Sequence, residues 1–340
     1  MSETTRTQEN IQEFALDLLD KKLLNLLQWD FPLVAKPFEA IGEGFQISEE
    51  QVFERILRLK QSGIIRQINA IFDTRRLGYK SSLVAMAIDE SMIDIVANKI
   101  SEHPGVSHNY KRDHEFNLWY TLAVPPNGNI QQEVAKFTAL KGVIRCRLLP
   151  TQKLFKIGVK LDMLKNDPQN PAPDEDFKEN SQPPVKLQER DIEIIREMQE
   201  DIEVISRPFE KMSERLGLRE EDLLEKMKEF QERGIMRRFA AILRHQKAGF
   251  KANGMITWKV PPERVEEVGM VAASFSQVSH CYQRPIYPDW QYNLFSMVHA
   301  RSKEGCEKIA EEISRRTGIQ DYAILYSTKE YKKERVRYFT

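Results

Sequence analysis

The sequence predicts an α+β protein in which one unit, a winged helix-turn-helix followed by a ferredoxin-like βαββαβ domain, occurs twice. Three observations carry this. Pro37-Phe38 recurs as Pro208-Phe209, Gly63-Ile64-Ile65-Arg66 as Gly234-Ile235-Met236-Arg237, and Gly78 as Gly249, each 171 residues further on. In both halves apolar residues pass from helical spacing to alternation in the same order. A Tyr-x-Arg stretch recurs at the same place in each half, Tyr110 and Arg112 in one, Tyr282 and Arg284 in the other.

Leu16, Leu19, Leu23, Leu26 and Leu27 mark a first helix to Trp29, and a second covers about Lys36 to Ile41. Ser48-Glu49-Glu50-Gln51 reads as a capping box opening a third helix, whose apolar face uses Val52, Ile56 and Leu59 and which Ser62-Gly63 ends. Ile64 to Phe72 follows as a strand, expected within a short hairpin. The second half repeats this from Leu187 to Leu243. After each come four strands and two helices in βαββαβ order. The expected domains are 12–74 and 75–160, a Pro/Asn/Asp/Glu-rich linker at 161–185, then 186–246 and 247–340. A four-stranded sheet with helices on one face needs a partner on the other, and the other half's sheet supplies it. That makes a pseudo-two-fold internal dimer with a site between the halves.

Lys plus Arg and Asp plus Glu number 51 each, which argues against a broadly cationic nucleic-acid surface. Cys146, Cys281 and Cys306 lie far apart without metal-ligand spacing, as reduced cytosolic thiols do. No stretch approaches the roughly 20 apolar residues of a membrane span, and no signal-like run opens the sequence. A cytoplasmic protein without membrane contact is expected.

The recurring stretch reads V-S-H-N-Y-K-R-D-H-E-F-N-L-W-Y from Val106 and V-S-H-C-Y-Q-R-P-I-Y-P-D-W-Q-Y-N-L-F from Val278. Four extra residues, with Pro285 and Pro288, lengthen the second tip. On a strand, residues i and i+2 share a face, so each Tyr hydroxyl and Arg guanidinium aim together, a pairing suited to a carboxylate-rich ligand. His108 and His280 alternate onto that same face, where packing and ligand contact are equally open readings. Trp119 and Phe295 are expected in the core. Trp290 and Tyr292 are the better candidates for packing a flat macrocycle. Arg66, Arg237 and Arg238 follow the third helix of each half and read most simply as surface charge, with Arg237 kept as a binding candidate.

The layout resembles the Lrp/AsnC family over nearly the whole chain, twice. The two tip motifs, above all R-P-x-Y-P-x-W-x-Y from Arg284 to Tyr292, resemble one branch of it, the siroheme decarboxylases. That branch makes didecarboxysiroheme for haem d1 or the alternative haem pathway, with paired subunits that some members fuse into one chain. The resemblance implies a carboxy-lyase acting on siroheme, an iron tetrapyrrole with eight carboxylates, and no cofactor beyond the iron that the substrate carries. Catalytic roles are then expected for His114, Tyr110, Arg112 and Tyr287, with His114 as proton donor or near the iron. Substrate binding is expected at Arg284, Tyr282, Trp290, His108, His280 and Arg237, and no metal on the protein itself. A homodimer of the fused chain stays open. The rival reading is a DNA-binding regulator sensing a small ligand. Against it, Ser48-Glu49-Glu50-Gln51 and Arg219-Glu220-Glu221-Asp222 would set carboxylates against phosphate at the recognition helices. A passive tetrapyrrole carrier is a third.

Overall fold

The computed structural model describes residues 16–157, 163, 183–243, 252–300 and 302–340. Most of the expected linker, and Gly249, lie outside them. The first half opens with α1 (Leu18–Trp29), α2 (Pro37–Phe45) and α3 (Glu49–Gln61). The expected capping box is present. Gln51 N–H donates to Ser48 Oγ at 3.3 Å, and Ser48 N–H donates to Gln51 Oε1 at 3.0 Å. Pro37 and Pro208 sit in the first turn of their helices, where a missing N–H costs nothing. After β1 (Ile65–Phe72) come β2 (Lys80–Ile88), α4 (Ile93–Ser101), β3 (Val106–Arg112), β4 (Leu118–Val124), α5 (Ile130–Thr138), β5 (Val143–Pro150) and β6 (Lys153–Ile157). The second half holds α6 (Glu189–Met198), α7 (Pro208–Leu216), α8 (Glu220–Glu232) and β7 (Met236–Leu243). It continues with β8 (Ala252–Trp258), α9 (Val265–Ser274), β9 (Val278–Gln283), β10 (Leu294–Ala300), α10 (Lys303–Thr317) and β11 (Tyr322–Lys333).

Two features of the pairing were not in the sequence pattern. The strand after each third helix does not fold back in a hairpin of its own half. Instead β1 pairs antiparallel with β7, Ile68 opposite Ala241 and Ala70 opposite Phe239, so one ribbon joins the two helical units. The other feature is an exchange of last strands. In β11, Tyr322–Tyr326 pairs with β8 of its own half, and Ser327–Lys333 pairs with β3 of the other. The first half reciprocates: β5 pairs with β2, and β6 runs on to β9, with Lys153 opposite Gln283 and Ile157 opposite His280. The sheet order β5-β2-β4-β3-β11-β8-β10-β9-β6 therefore begins and ends on one continuous stretch of chain. The edges of β3 and β9 are covered in the process.

The expected face-to-face packing of the two sheets is present. Trp119, Phe116, Leu149, Met255, Trp290, Phe295 and Leu325 fill the space between them. Helices α4 and α5 cover one outer face, α9 and α10 the other. A further core is shared by both helical units. Within it the Phe31 ring meets Phe38 of its own half at 5.9 Å, and Phe209 and Phe239 of the other at 6.4 and 5.2 Å. Truncating this buried aromatic removes contacts on both sides of the pseudo-dyad. Phe31→Ala is expected to cost about 3–5 kcal/mol in urea unfolding, with both helical units lost in one transition.

Candidate functional site

Alternation on β3 and β9 brings together the residues the repeat singled out. Asn109 and Cys281 point to the helices, Asn109 Nδ2 donating to the Ala97 carbonyl at 2.9 Å and Cys281 Sγ lying 3.8 Å from the Gly269 carbonyl. His108, Tyr110 and Arg112, and likewise His280, Tyr282 and Arg284, face the other way. The His108 and Tyr110 rings are 6.2 Å apart and those of His280 and Tyr282 are 6.0 Å apart. Each guanidinium lies against its tyrosine, at 5.8 Å for Arg112 and 4.8 Å for Arg284. Both arginines are buried, 5% and 8% exposed. Arg112 Nη1 donates to the Leu325 carbonyl at 2.7 Å, and Arg284 Nη1 to that of Leu149, its counterpart in the other last strand. Loss of hydration brings both guanidinium groups down to about 10, partly opposed by the neighbouring phenols. These arginines thus tie the exchanged strands and support the tyrosines, so a carboxylate could reach only the remaining edge of each fork.

The two copies differ in what the exchanged strand lays beside them. Opposite Tyr110 and His108, β11 places Glu330 and Lys333; opposite Tyr282 and His280, β6 places Leu154 and Ile157. Burial, then Glu330, which hydrogen-bonds the phenol, pushes Tyr110 well above its ordinary value. Burial pushes Tyr282 up to about 12, with Arg284, Arg237 and Arg75 opposing. His108 is brought down to about 4 by burial and by the charges of Lys333, Arg335 and Arg66. The ribbon closes on this place: Arg66 Nη1 of β1 donates to the Lys333 carbonyl at 3.0 Å. From β7, Arg237 Nη2 donates to Asp73 Oδ2 at 2.8 Å and Arg238 covers the Trp29 ring at 4.1 Å. Arg335, just past β11, is brought down to about 10 by surrounding protein and by Arg238, Arg66 and Arg237, with Tyr338 opposing. Its side chain is nevertheless exposed. The surface where the ribbon meets the β3–β11 pairing, with Arg66, Lys333 and Arg335 brought beside His108, is the cationic cleft of this protein. Arg66, Arg238 and Arg335 were not among the expected binding residues. Lys333 and Arg335 would have been legible from alternation had β11 been extended to its full length.

The second tip lies elsewhere. Trp290, expected to pack a macrocycle, is 2% exposed and belongs to the core between the sheets, its ring 5.2 Å from Trp119 and 6.0 Å from Phe295. Its place in the insertion hid this: Tyr287 and Trp290 bond each other's backbone in a small hairpin that folds the indole inward. Tyr287 Oη donates to the Leu148 carbonyl at 2.5 Å, and Arg147 clamps Asp289 at 2.8 and 2.7 Å. His114 Nδ1 accepts from the Phe116 N–H at 3.0 Å, and the ring meets Trp290 edge-on at 5.4 Å. Burial lowers its pKa. It lines a depression of about 340 Å³ with Glu115, Asp289, Asp321, Lys259 and Tyr292, among others; neither Tyr110 nor Arg112 lines it. Its carboxylates are already paired, Glu115 with Arg145, Asp289 with Arg145 and Arg147, and Asp321 with Lys259. The four expected catalytic residues are therefore divided, Tyr110 and Arg112 at the cleft side, His114 and Tyr287 at the tip.

A helix-turn-helix joined to a sheet domain that frames a cleft, present twice, defines a duplicated AsnC-like ligand-binding protein. Residues 76–156 and 247–332 match the AsnC-like ligand binding domain model, and 20–66 and 191–237 match the siroheme decarboxylase NirDL-like HTH domain. A siroheme decarboxylase of Hydrogenobacter thermophilus is 41% identical, covering 94% of each chain. A siroheme decarboxylase beta subunit of Methanosarcina barkeri is 43% identical over 44% of this chain and 99% of its own length. The crystal structure of a siroheme decarboxylase NirDL with an iron-uroporphyrin III analogue is similar at TM-score 0.75 and 36% identity, over 95% of this chain and 94% of that one. This chain belongs to the siroheme decarboxylase family. The DNA-binding reading gains no support from these matches. No helix among the described residues is long and apolar enough to cross a membrane.

The depressed pKa of His108 sets a pH dependence. The folded state keeps the imidazole neutral down to about 4, whereas the unfolded chain protonates it near 6.5. Its contribution is therefore complete above pH 6.5 and is lost as pH falls from there towards 4. His108→Asn should flatten that part of the stability–pH curve measured by urea unfolding, and an NMR titration should show the His108 ring neutral at pH 5.5.

Proposed function

We propose that the chain is a carboxy-lyase that removes carbon dioxide from two acetate side chains of siroheme, leaving methyl groups. The observation that carries this is the gathering of Arg66, Lys333 and Arg335 beside His108, with Arg237 and Arg238 in turn near Arg335. Guanidinium forks recognise carboxylates, and a substrate with eight of them needs several. In each decarboxylation the bond between the methylene carbon and the carboxylate breaks and its electron pair stays on the methylene carbon. A proton then completes the methyl group, so the step is redox-neutral and needs one acid per carboxylate lost.

Tyr110 is the proposed donor. It stays protonated at neutral pH, is backed by Arg112, and is held by Glu330. His108, neutral and 6.2 Å away ring to ring, is placed to help return a proton to it. An anionic substrate at the cleft would raise the His108 pKa by supplying opposite charge. The iron enters with the substrate, and no other cofactor is proposed. The second copy, with Leu154 and Ile157 facing Tyr282 and His280, is proposed to support the fold more than the chemistry.

The test is anaerobic incubation with siroheme, following absorbance and product mass. Loss of two carbon dioxide units per substrate is expected. Tyr110→Phe and His108→Ala should each lower turnover by about 10²–10⁴-fold, with His114→Ala and Tyr287→Phe close to the parent. If His114→Ala abolishes turnover and His108→Ala does not, the acid sits at the tip and the donor assigned here is wrong. Binding without mass loss would leave a carrier.

A further inference from the structure

Past β11 the chain continues as a segment, residues 334–340, that is fixed at both ends. At its start Glu334 N–H donates to the Ser107 carbonyl at 2.7 Å, next to His108. At its far end Tyr338 and Phe339 dock on the other side of the cleft. Gln199 of α6 bonds the Tyr338 backbone twice, at 2.8 and 3.0 Å, and Phe339 N–H donates to Tyr79 Oη at 2.6 Å. The Tyr338 hydroxyl lies 2.7 Å from Thr74 Oγ1, and the Tyr338 and Phe339 rings meet Tyr79 edge-on at 5.0 and 5.4 Å. Between these anchors, Val336 packs into the shared helical core. Its neighbour Arg335 is exposed, in the field of Arg66, Arg237 and Arg238.

We propose that residues 334–340 form a strap across the cleft, and that Arg335 on this strap binds a carboxylate of the tetrapyrrole. This rests on the siroheme reading and adds to it a binding residue and the means that holds it. Like charges gathered in a partly desolvated cleft repel one another, and an anionic ligand turns that repulsion into attraction. The start of the strap differs from its counterpart in the first half: among the described residues, β11 sets Lys333 opposite His108 where β6 sets Ile157 opposite His280. The polycarboxylate is thereby directed to the copy that holds His108 and Tyr110.

The experiment uses the full chain, titrated by visible absorbance with iron-uroporphyrin III, which has eight carboxylates, and with iron-coproporphyrin III, which has four. Arg335→Ala should weaken iron-uroporphyrin binding by about tenfold or more, and iron-coproporphyrin binding by less. Arg335→Lys should recover part of the loss. With siroheme, Arg335→Ala should raise KM and leave kcat within about twofold, a split that a folding defect would not give. Tyr338→Ala, which unfastens the strap while keeping the charge, should also weaken iron-uroporphyrin binding. If Arg335→Ala does not fold, Arg335→Gln decides in its place. Binding within about twofold of the parent in the Arg335 variants overturns the proposal. If Arg66→Ala still weakens binding in that case, the cleft stands without the strap; if it too is silent, the cleft reading falls as well.

Discussion

The structure depends on the last strand of each half changing partners midway. Tyr322–Tyr326 completes its own sheet and Ser327–Lys333 completes the other, while β5 and β6 do the same in reverse. A sheet ending on its own last strand would expose a row of unpaired N–H and C=O groups. Here the row that β3 would expose is filled by Ser327–Lys333 and that of β9 by β6, each from the other half, so neither sheet is complete alone. The buried Arg112 and Arg284 fix the crossing, each bonding a carbonyl of the strand that crosses. Removing either guanidinium would leave a buried carbonyl without its donor, and that cost falls where the halves join.

The same exchange makes the copies chemically different. Side chains of β3 and β9 repeat as His-Tyr-Arg, but the strand lying beside each comes from elsewhere in the chain and has diverged freely. Glu330 and Lys333 face one copy; Leu154 and Ile157 face the other. A site assembled from two halves can lose its charge in one copy without any change in the residues that define the repeat. The two copies share a backbone, and the crossing strands set what lies beside each.

Much of the architecture was legible because it rests on local rules. The capping box at Ser48, Pro37 in the first turn of its helix, and the alternation that sets Tyr110 with Arg112 all follow from neighbours in sequence. The sheet-to-sheet core around Trp119 and Phe295 followed from the need to cover an apolar face. Pairings between distant segments were not legible. Nothing near Ile65 says that its strand will meet β7 instead of folding back, and nothing near Tyr326 says that the strand will change partners there. Trp290 was misplaced for a related reason. An indole in a Pro-rich insertion reads as a loop aromatic until the Tyr287–Trp290 hairpin turns it into the core. The basic, aromatic tail from Tyr331 to Phe339, with Arg335 in it, was legible as a cover for a pocket or as a frayed end, whereas Arg66 escaped because it looks like ordinary surface charge until the fold sets the ribbon beside the end of β11.

Electrostatics separates the two places where the proton donor could stand. At the tip, His114 shares its depression with Glu115, Asp289 and Asp321, and nearby carboxylates act to raise its pKa while burial lowers it. Burial prevails, so the His114 imidazole is held on the neutral side, and the carboxylates around it are paired with Arg145, Arg147 and Lys259. At the cleft, burial first and then Lys333, Arg335 and Arg66 hold His108 neutral, and the same cations favour a polyanion. Carboxylates set against these arginines would offset their charge at His108 and make the imidazole easier to protonate, which is how the proposed donor Tyr110 would be served without a standing acid in the empty protein. At the tip the cations are already engaged, Arg145 and Arg147 by Glu115 and Asp289 and Lys259 by Asp321, which leaves fewer of them for an incoming carboxylate.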